Sequence, residues 1–174
     1  MNIKITGLLF IAFLFSTQLS FGQQPNTVIT DSKLHKDVLV GFCNRNGLKS
    51  GLFGEYFKSQ YEAYKPNAAL VKKIAEKIEK VKITIIFGSW CGDSKIQVPR
   101  FYKILDRAHY NENDIKLIAV DRSMRAMTVD ITDLNIERIP TFIIYQGDKE
   151  LGRIVESPGK SLEKDLYKIL KKVR

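Results

Sequence analysis

Ile83-Thr84-Ile85-Ile86-Phe87-Gly88-Ser89-Trp90-Cys91-Gly92-Asp93-Ser94-Lys95, running on to Pro99, decides how the rest of this 174-residue chain is read. Its first five residues are β-branched or aromatic, the composition of a buried strand. A turn of small residues follows, with Trp90 and Cys91 at its end. A helical pattern then opens, with Ile96, Phe101, Ile104 and Leu105 on its apolar side. Cys91 therefore falls at a helix N-terminus, where unpaired backbone N–H groups and the helix dipole favour a thiolate over a thiol. Free cysteines are commonly inert core residues, but this placement points to a nucleophile. Asp93 opposes thiolate formation by its charge, and the Ser94 hydroxyl favours it.

On the N-terminal side, Val38–Phe42 reads as a short strand and Cys43–Gly51 as a loop. A phosphate-binding loop is excluded there: five residues separate Gly41 from Gly47, and Leu48 intervenes before Lys49. Phe53, Tyr56, Phe57, Tyr61 and Tyr64 recur at helical spacing and form an aromatic stripe that packs on the domain or walls a groove. Pro66 ends that helix, and Ala68–Lys80 carries a second stripe of Leu70, Val71, Ile74, Ala75 and Ile78. On the C-terminal side, Ile115–Val120 is a second buried strand, and 121–133 a turn with a short helix. Arg138-Ile139-Pro140-Thr141 leads into the strand Phe142–Tyr145. A hairpin turn at Gln146–Lys149 leads to the strand Glu150–Val155. Ser161 caps a last helix whose Leu162, Leu166, Ile169 and Leu170 face inward.

The formal net charge is +9, which raises the question of a polyanion partner. The lysines sit mostly beside glutamates on helices, without a nucleic-acid motif, so they read as a solvated face and no nucleic-acid partner is expected. Lys4, the apolar run Leu8–Phe15 and the small residues Ser20 and Gly22 have the pattern of a secretory signal peptide. The run is too short to span a bilayer. Residues 1–22 are read as a cleaved leader, and no stable membrane anchor is expected after cleavage. A periplasmic or secreted location follows. Only Cys43 and Cys91 are left for a disulfide-permissive compartment, so individual thiol chemistry is favoured over a disulfide framework. His35 and His109 are isolated, so no metal site and no cofactor is expected.

The strand–Trp-Cys-x-x–helix unit, together with Ile139-Pro140-Thr141 downstream, resembles the thioredoxin family over roughly Lys80–Arg174. The resemblance implies an α/β, thioredoxin-like fold: a central mixed sheet with helices on both faces. Residues 23–35 would be a linker, 36–67 an N-terminal extension with the aromatic-rich helix, and 68–174 the thioredoxin-like domain. Pro99, eight residues beyond Cys91, matches the family's helix proline.

The resemblance also implies roles. Cys91 would attack a substrate disulfide and form a mixed disulfide, with protein or peptide thiols and disulfides as partners and an unidentified redox partner. Ile139 and Pro140 match the family's cis-proline segment, which binds substrate backbone. Trp90, Gly92, Asp93, Thr141 and Gly159 would complete that groove. Two departures change the mechanism. Ser94 stands where the second cysteine of Cys-x-x-Cys resolves the mixed disulfide, and a hydroxyl makes no stable bond to sulfur. Ile85 stands where family members often carry a buried acid. Three readings stay open: a thiol–disulfide exchange protein using Cys91 alone, a redox-inert module binding extended peptides at the Pro140 groove, and a dithiol enzyme with Cys43 as resolving cysteine.

Overall fold

The computed structural model describes residues 24–174; the leader expected at 1–22 lies outside them. The strands are β1 (Thr27–Asp31), β2 (Lys36–Cys43), β3 (Lys82–Phe87), β4 (Ile115–Ala119), β5 (Thr141–Gln146) and β6 (Lys149–Val155). The helices are α1 (Arg45–Leu48), α2 (Gly51–Ala63), α3 (Ala68–Ile78), α4 (Gly92–Arg107) and α5 (Leu162–Leu170). One sheet has the order β1-β2-β4-β3-β5-β6. Only β3 and β4 pair in parallel; the other neighbours are antiparallel.

The alternation of side chains along each strand divides the interior. Ile83, Ile85 and Phe87 of β3, Leu117 and Ala119 of β4, and Phe142 and Ile144 of β5 enter the main cluster, which buried residues of all five α-helices join. Helix α4 supplies Val98, Phe101, Tyr102, Ile104 and Leu105, and Phe101 stacks on Phe142 with centroids 4.3 Å apart. Ile86, Ile118, Val120 and Ile139 belong to a second cluster. It is closed by segment 121–138, through Met124, Ala126, Val129, Ile131, Leu134 and Ile136. The mixed sheet thus carries helical structure on both faces: α-helices on one, and on the other this segment with its 3-10 turn Thr132–Leu134.

Caps fix the helix starts. Asn67 accepts from Leu70 N–H, and Ser161 from Lys164 N–H, each satisfying an otherwise unpaired donor. Helix α4 continues through the buried Pro99, whose ring nitrogen has no hydrogen for the carbonyl one turn back.

The N-terminal region departs from the sequence reading. Residues 23–35, expected as a linker, contain β1, in register with β2 from Thr27↔Val40 to Asp31↔Lys36. The β-branched residues Thr27–Thr30 of β1 fit a strand, but they are few and lie between polar segments. Inside the expected 36–67 extension, β2 pairs with β4 from Gly41↔Ala119 to Cys43↔Leu117, so it is part of the central sheet. The expected loop at Cys43–Gly51 contains α1, started by Asn44, whose side chain accepts from Asn46 and Gly47 N–H. Arg45 then anchors the region to α4 with two bonds to Asp106, of 2.8 and 2.6 Å. Tyr61 donates to the same carboxylate at 2.5 Å. Burial pushes the Asp106 carboxyl up, but the Arg45 and Tyr61 hydrogen bonds prevail and hold it below the usual carboxylate range.

Candidate active site around Cys91

Strand β3 ends at Phe87, and its ladder is extended by Val120 N–H, which donates to Phe87 O at 2.8 Å. The chain then turns: Cys91 N–H donates to Gly88 O at 3.0 Å, and Cys91 becomes the N-cap of α4. Its half-buried Sγ does not cap the helix but points to the carbonyl of Ile139, at 3.6 Å. The Ile139–Pro140 peptide bond is cis. Trp90 is held by its indole N–H, which donates to Val120 O at 2.9 Å.

Two turn residues that were not singled out in the sequence set this geometry. A Cβ on Gly88 would lie 2.7 Å from Ile139 Cδ1 and 2.8 and 2.9 Å from atoms of the Trp90 ring, so glycine is needed for the close approach of the two. Ser89 Oγ accepts from Leu39 N–H at 2.9 Å and ties the turn to β2. In the sequence, a Gly-Ser pair after a strand signals only a turn; what packs on it depends on tertiary structure.

The expected site residues divide into three groups. Cys91, Trp90, Ile139 and Pro140 come together, with Ile139 and Pro140 themselves buried. Gly92 is exposed and Asp93 half-buried in the first turn of α4. Ser94 differs from expectation: it is fully buried and its Oγ accepts from Gly88 N–H at 3.2 Å, so the hydroxyl supports the turn. No hydrogen bond joins it to the Cys91 sulfur among the described residues. Thr141, expected to contact substrate, is buried, and its hydroxyl donates to Arg138 O at 2.6 Å. Gly159 lies before α5, where its N–H donates to Asp165 at 2.6 Å, and no hydrogen bond connects it to Cys91 or Pro140.

Cys43 does not reach this site. It is level with Leu117 in β2–β4 register, and Leu117 is level with Ile85 in β4–β3 register. Two strand spacings, about 10 Å, separate Cys43 from β3. Its side chain packs against the main cluster, whereas Cys91 packs against the second one, on the other face of the sheet. A disulfide needs Cα atoms within about 7 Å and converging Cβ vectors, so the expectation of a possible resolving Cys43 is not met. Burial pushes the Cys43 thiol up to about 12. Ile85, in the position of the family's acid, is fully buried in the main cluster.

Among the described residues no group of His, Cys, Asp or Glu is placed to hold a metal ion, and no helix is long and apolar enough to cross a membrane.

A cysteine at the N-cap position of a helix after a central parallel strand, packed against an X-Pro turn that enters an antiparallel strand, defines a thioredoxin-fold protein with a thiol site. The chain belongs to the thioredoxin family: the family model described as thioredoxin matches residues 53–168. Over 87 residues the chain is 30% identical to thioredoxin H2-1 of Oryza sativa subsp. japonica, covering 50% of this chain and 59% of that protein. Over 148 residues it is 22% identical to protein disulfide-isomerase of Saccharomyces cerevisiae, covering 83% of this chain and 27% of that protein. The chain thus spans less than two thirds of either relative. The crystal structure of an HIV epitope-scaffold shares the fold, with a TM-score of 0.50 at 16% identity over 70% of this chain and 83% of that one.

Proposed function

We propose that this chain is an exported thiol–disulfide exchange protein that works through Cys91 alone. The observation that carries the reading is the isolation of the Cys91 sulfur: it lies at the start of α4 on one face of the sheet, while Cys43 packs on the other. The Cys91 thiolate attacks one sulfur of a protein or peptide disulfide. A Cys91–sulfur bond forms as the substrate S–S bond breaks, and the second substrate sulfur leaves as a thiolate. With Ser94 in place of a resolving thiol, the mixed disulfide is released by a thiol from the substrate or from a separate thiol donor. Such a protein reshuffles or traps disulfides, in keeping with the name of its yeast relative. Export rests on the leader pattern of Met1–Gly22 and predicts a mature chain starting near Gln23.

Exchange of a small mixed disulfide, followed with wild type, Cys91→Ser and Cys43→Ser, tests the proposal. Loss of exchange to the uncatalysed background in Cys91→Ser, with Cys43→Ser close to wild type, is the expected result. Equal rates in wild type and Cys91→Ser would favour the redox-inert module that only binds peptides beside Pro140.

A further inference from the structure

A cleft of ≈ 590 Å³ opens between the β1–β2 hairpin, the start of α2 and the active-site turn, and Trp90 but not Pro140 lines it. Val28, Leu39, Phe53 and Trp90 give it apolar lining, and Lys36 and Lys95 line it as well. Val28 is 53% exposed, although it is a β-branched residue on a sheet. The charge on the walls is unbalanced. Asp37 is the one acid among the lining residues, and it already accepts the Thr30 hydroxyl at 2.8 Å. Neither Lys36 nor Lys95 takes part in an ion pair among the described residues. The Lys95 ammonium lies 4.6 Å from the centre of the Tyr56 ring, which orients the charge without neutralising it. Lys95 also lies one helical turn beyond Cys91, its N–H donating to Cys91 O at 3.1 Å.

From this juxtaposition we infer that the cleft binds an extended, acidic stretch of the substrate polypeptide, close in sequence to the cysteine that Cys91 attacks. The inference rests on the exchange function proposed above. An extended strand advances about 3.3 Å per residue, so a chain crossing Trp90 brings carboxylates a few positions from its cysteine to Lys95 and then to Lys36. Alternate apolar side chains would cover Val28 and Leu39. Substrates with carboxylates near the reactive cysteine would be captured ahead of basic ones.

Trp90 is the single tryptophan of the chain, so its fluorescence reports on the cleft. The probe is a capped, cysteine-free octapeptide alternating aspartate with valine, with its lysine–valine counterpart as comparison. Lacking cysteine, it tests docking whether or not Cys91 performs exchange, so failure of either idea can be told from failure of the other. The expected result is a saturable shift of Trp90 emission with the aspartate peptide, at least about tenfold tighter than with the lysine peptide and weakened by salt. Lys36→Glu combined with Lys95→Glu should lower the affinity at least about tenfold, whereas Lys168→Glu on α5 should leave it unchanged. Lys36→Ala, at an exposed strand start, should weaken binding severalfold and serves if the double variant does not fold. Equal binding of the two peptides, no saturable shift with either, or wild-type affinity in folded lysine variants would overturn the inference.

Discussion

Cys43 closes strand β2 and Cys91 follows strand β3 by a short turn, yet the two thiols meet opposite environments. Cys43 lies within a ladder, packs on the helix-covered face and donates weakly to Gly41 O at 3.6 Å. Cys91 has left the ladder and sits where a strand gives way to a helix, on the face that a loop segment covers. Both are half-buried, so exposure does not distinguish them. What matters is whether the sulfur has a helix terminus or a sheet interior around it. A cysteine in a ladder is a small core residue; one at a strand-to-helix turn lies outside the ladder.

The largest effect that could break this contrast is in alkylation at pH 8. With its thiol pushed up to about 12, Cys43 is about 10⁻⁴ ionised there, so it should label roughly 10³-fold more slowly than an ordinary exposed thiol. Peptide mapping after brief treatment with iodoacetamide should find the label on Cys91. Comparable labelling of Cys43 in the folded protein would erase the distinction.

A smaller effect sharpens the Cys91 side. Gly88→Ala forces a methyl group against Ile139 and Trp90, and should destabilise by about 1–3 kcal/mol. Each kcal/mol should lower Tm by about 2–4 °C in a chain of this size. Gly92→Ala, with nothing within 4 Å of the added carbon, should leave Tm nearly unchanged. Similar melting of the two variants would show that the turn is not the tight element described above.

A further effect, confined to high pH, belongs to Cys43. Its thiol titrates higher in the folded than in the unfolded chain, so the native state holds the proton longer. The stability tied to that proton is complete below the ordinary value of 9.0 and is lost as pH rises towards about 12. Tyr61, likewise pushed up to about 12 by burial first and by its bond to Asp106 second, adds to the alkaline loss. The comparison is therefore between wild type and Cys43→Ala. The variant should lose several degrees less Tm between pH 9 and 12, and an identical pH profile would remove the burial argument.

The fold was legible wherever one segment carried its own pattern. The run Ile83–Phe87, the stripe of α3 and the Ser161 cap each signal an element without reference to the rest of the chain. Strand β1 was less legible: its four β-branched residues are half-exposed and flanked by polar ones, and pairing with β2 defines it. The site follows the same division. Cys91 and Pro140 stand out by motif. The burial of Thr141, the turn-supporting role of Ser94 and the separation of Cys43 from Cys91 depend on register and facing, which only pairing between distant segments defines.

The bond from Leu39 N–H to Ser89 Oγ has a consequence for where the molecule can be divided. The family model matches from residue 53, after both hairpin strands. A fragment cut there would lose the hydrogen-bonding partner of β4 along Leu117–Ala119, leaving a raw edge of the kind that recruits other chains into aggregates. It would also lose the brace on the turn that presents Cys91. The stretch that the family model matches is therefore shorter than the piece able to stand alone.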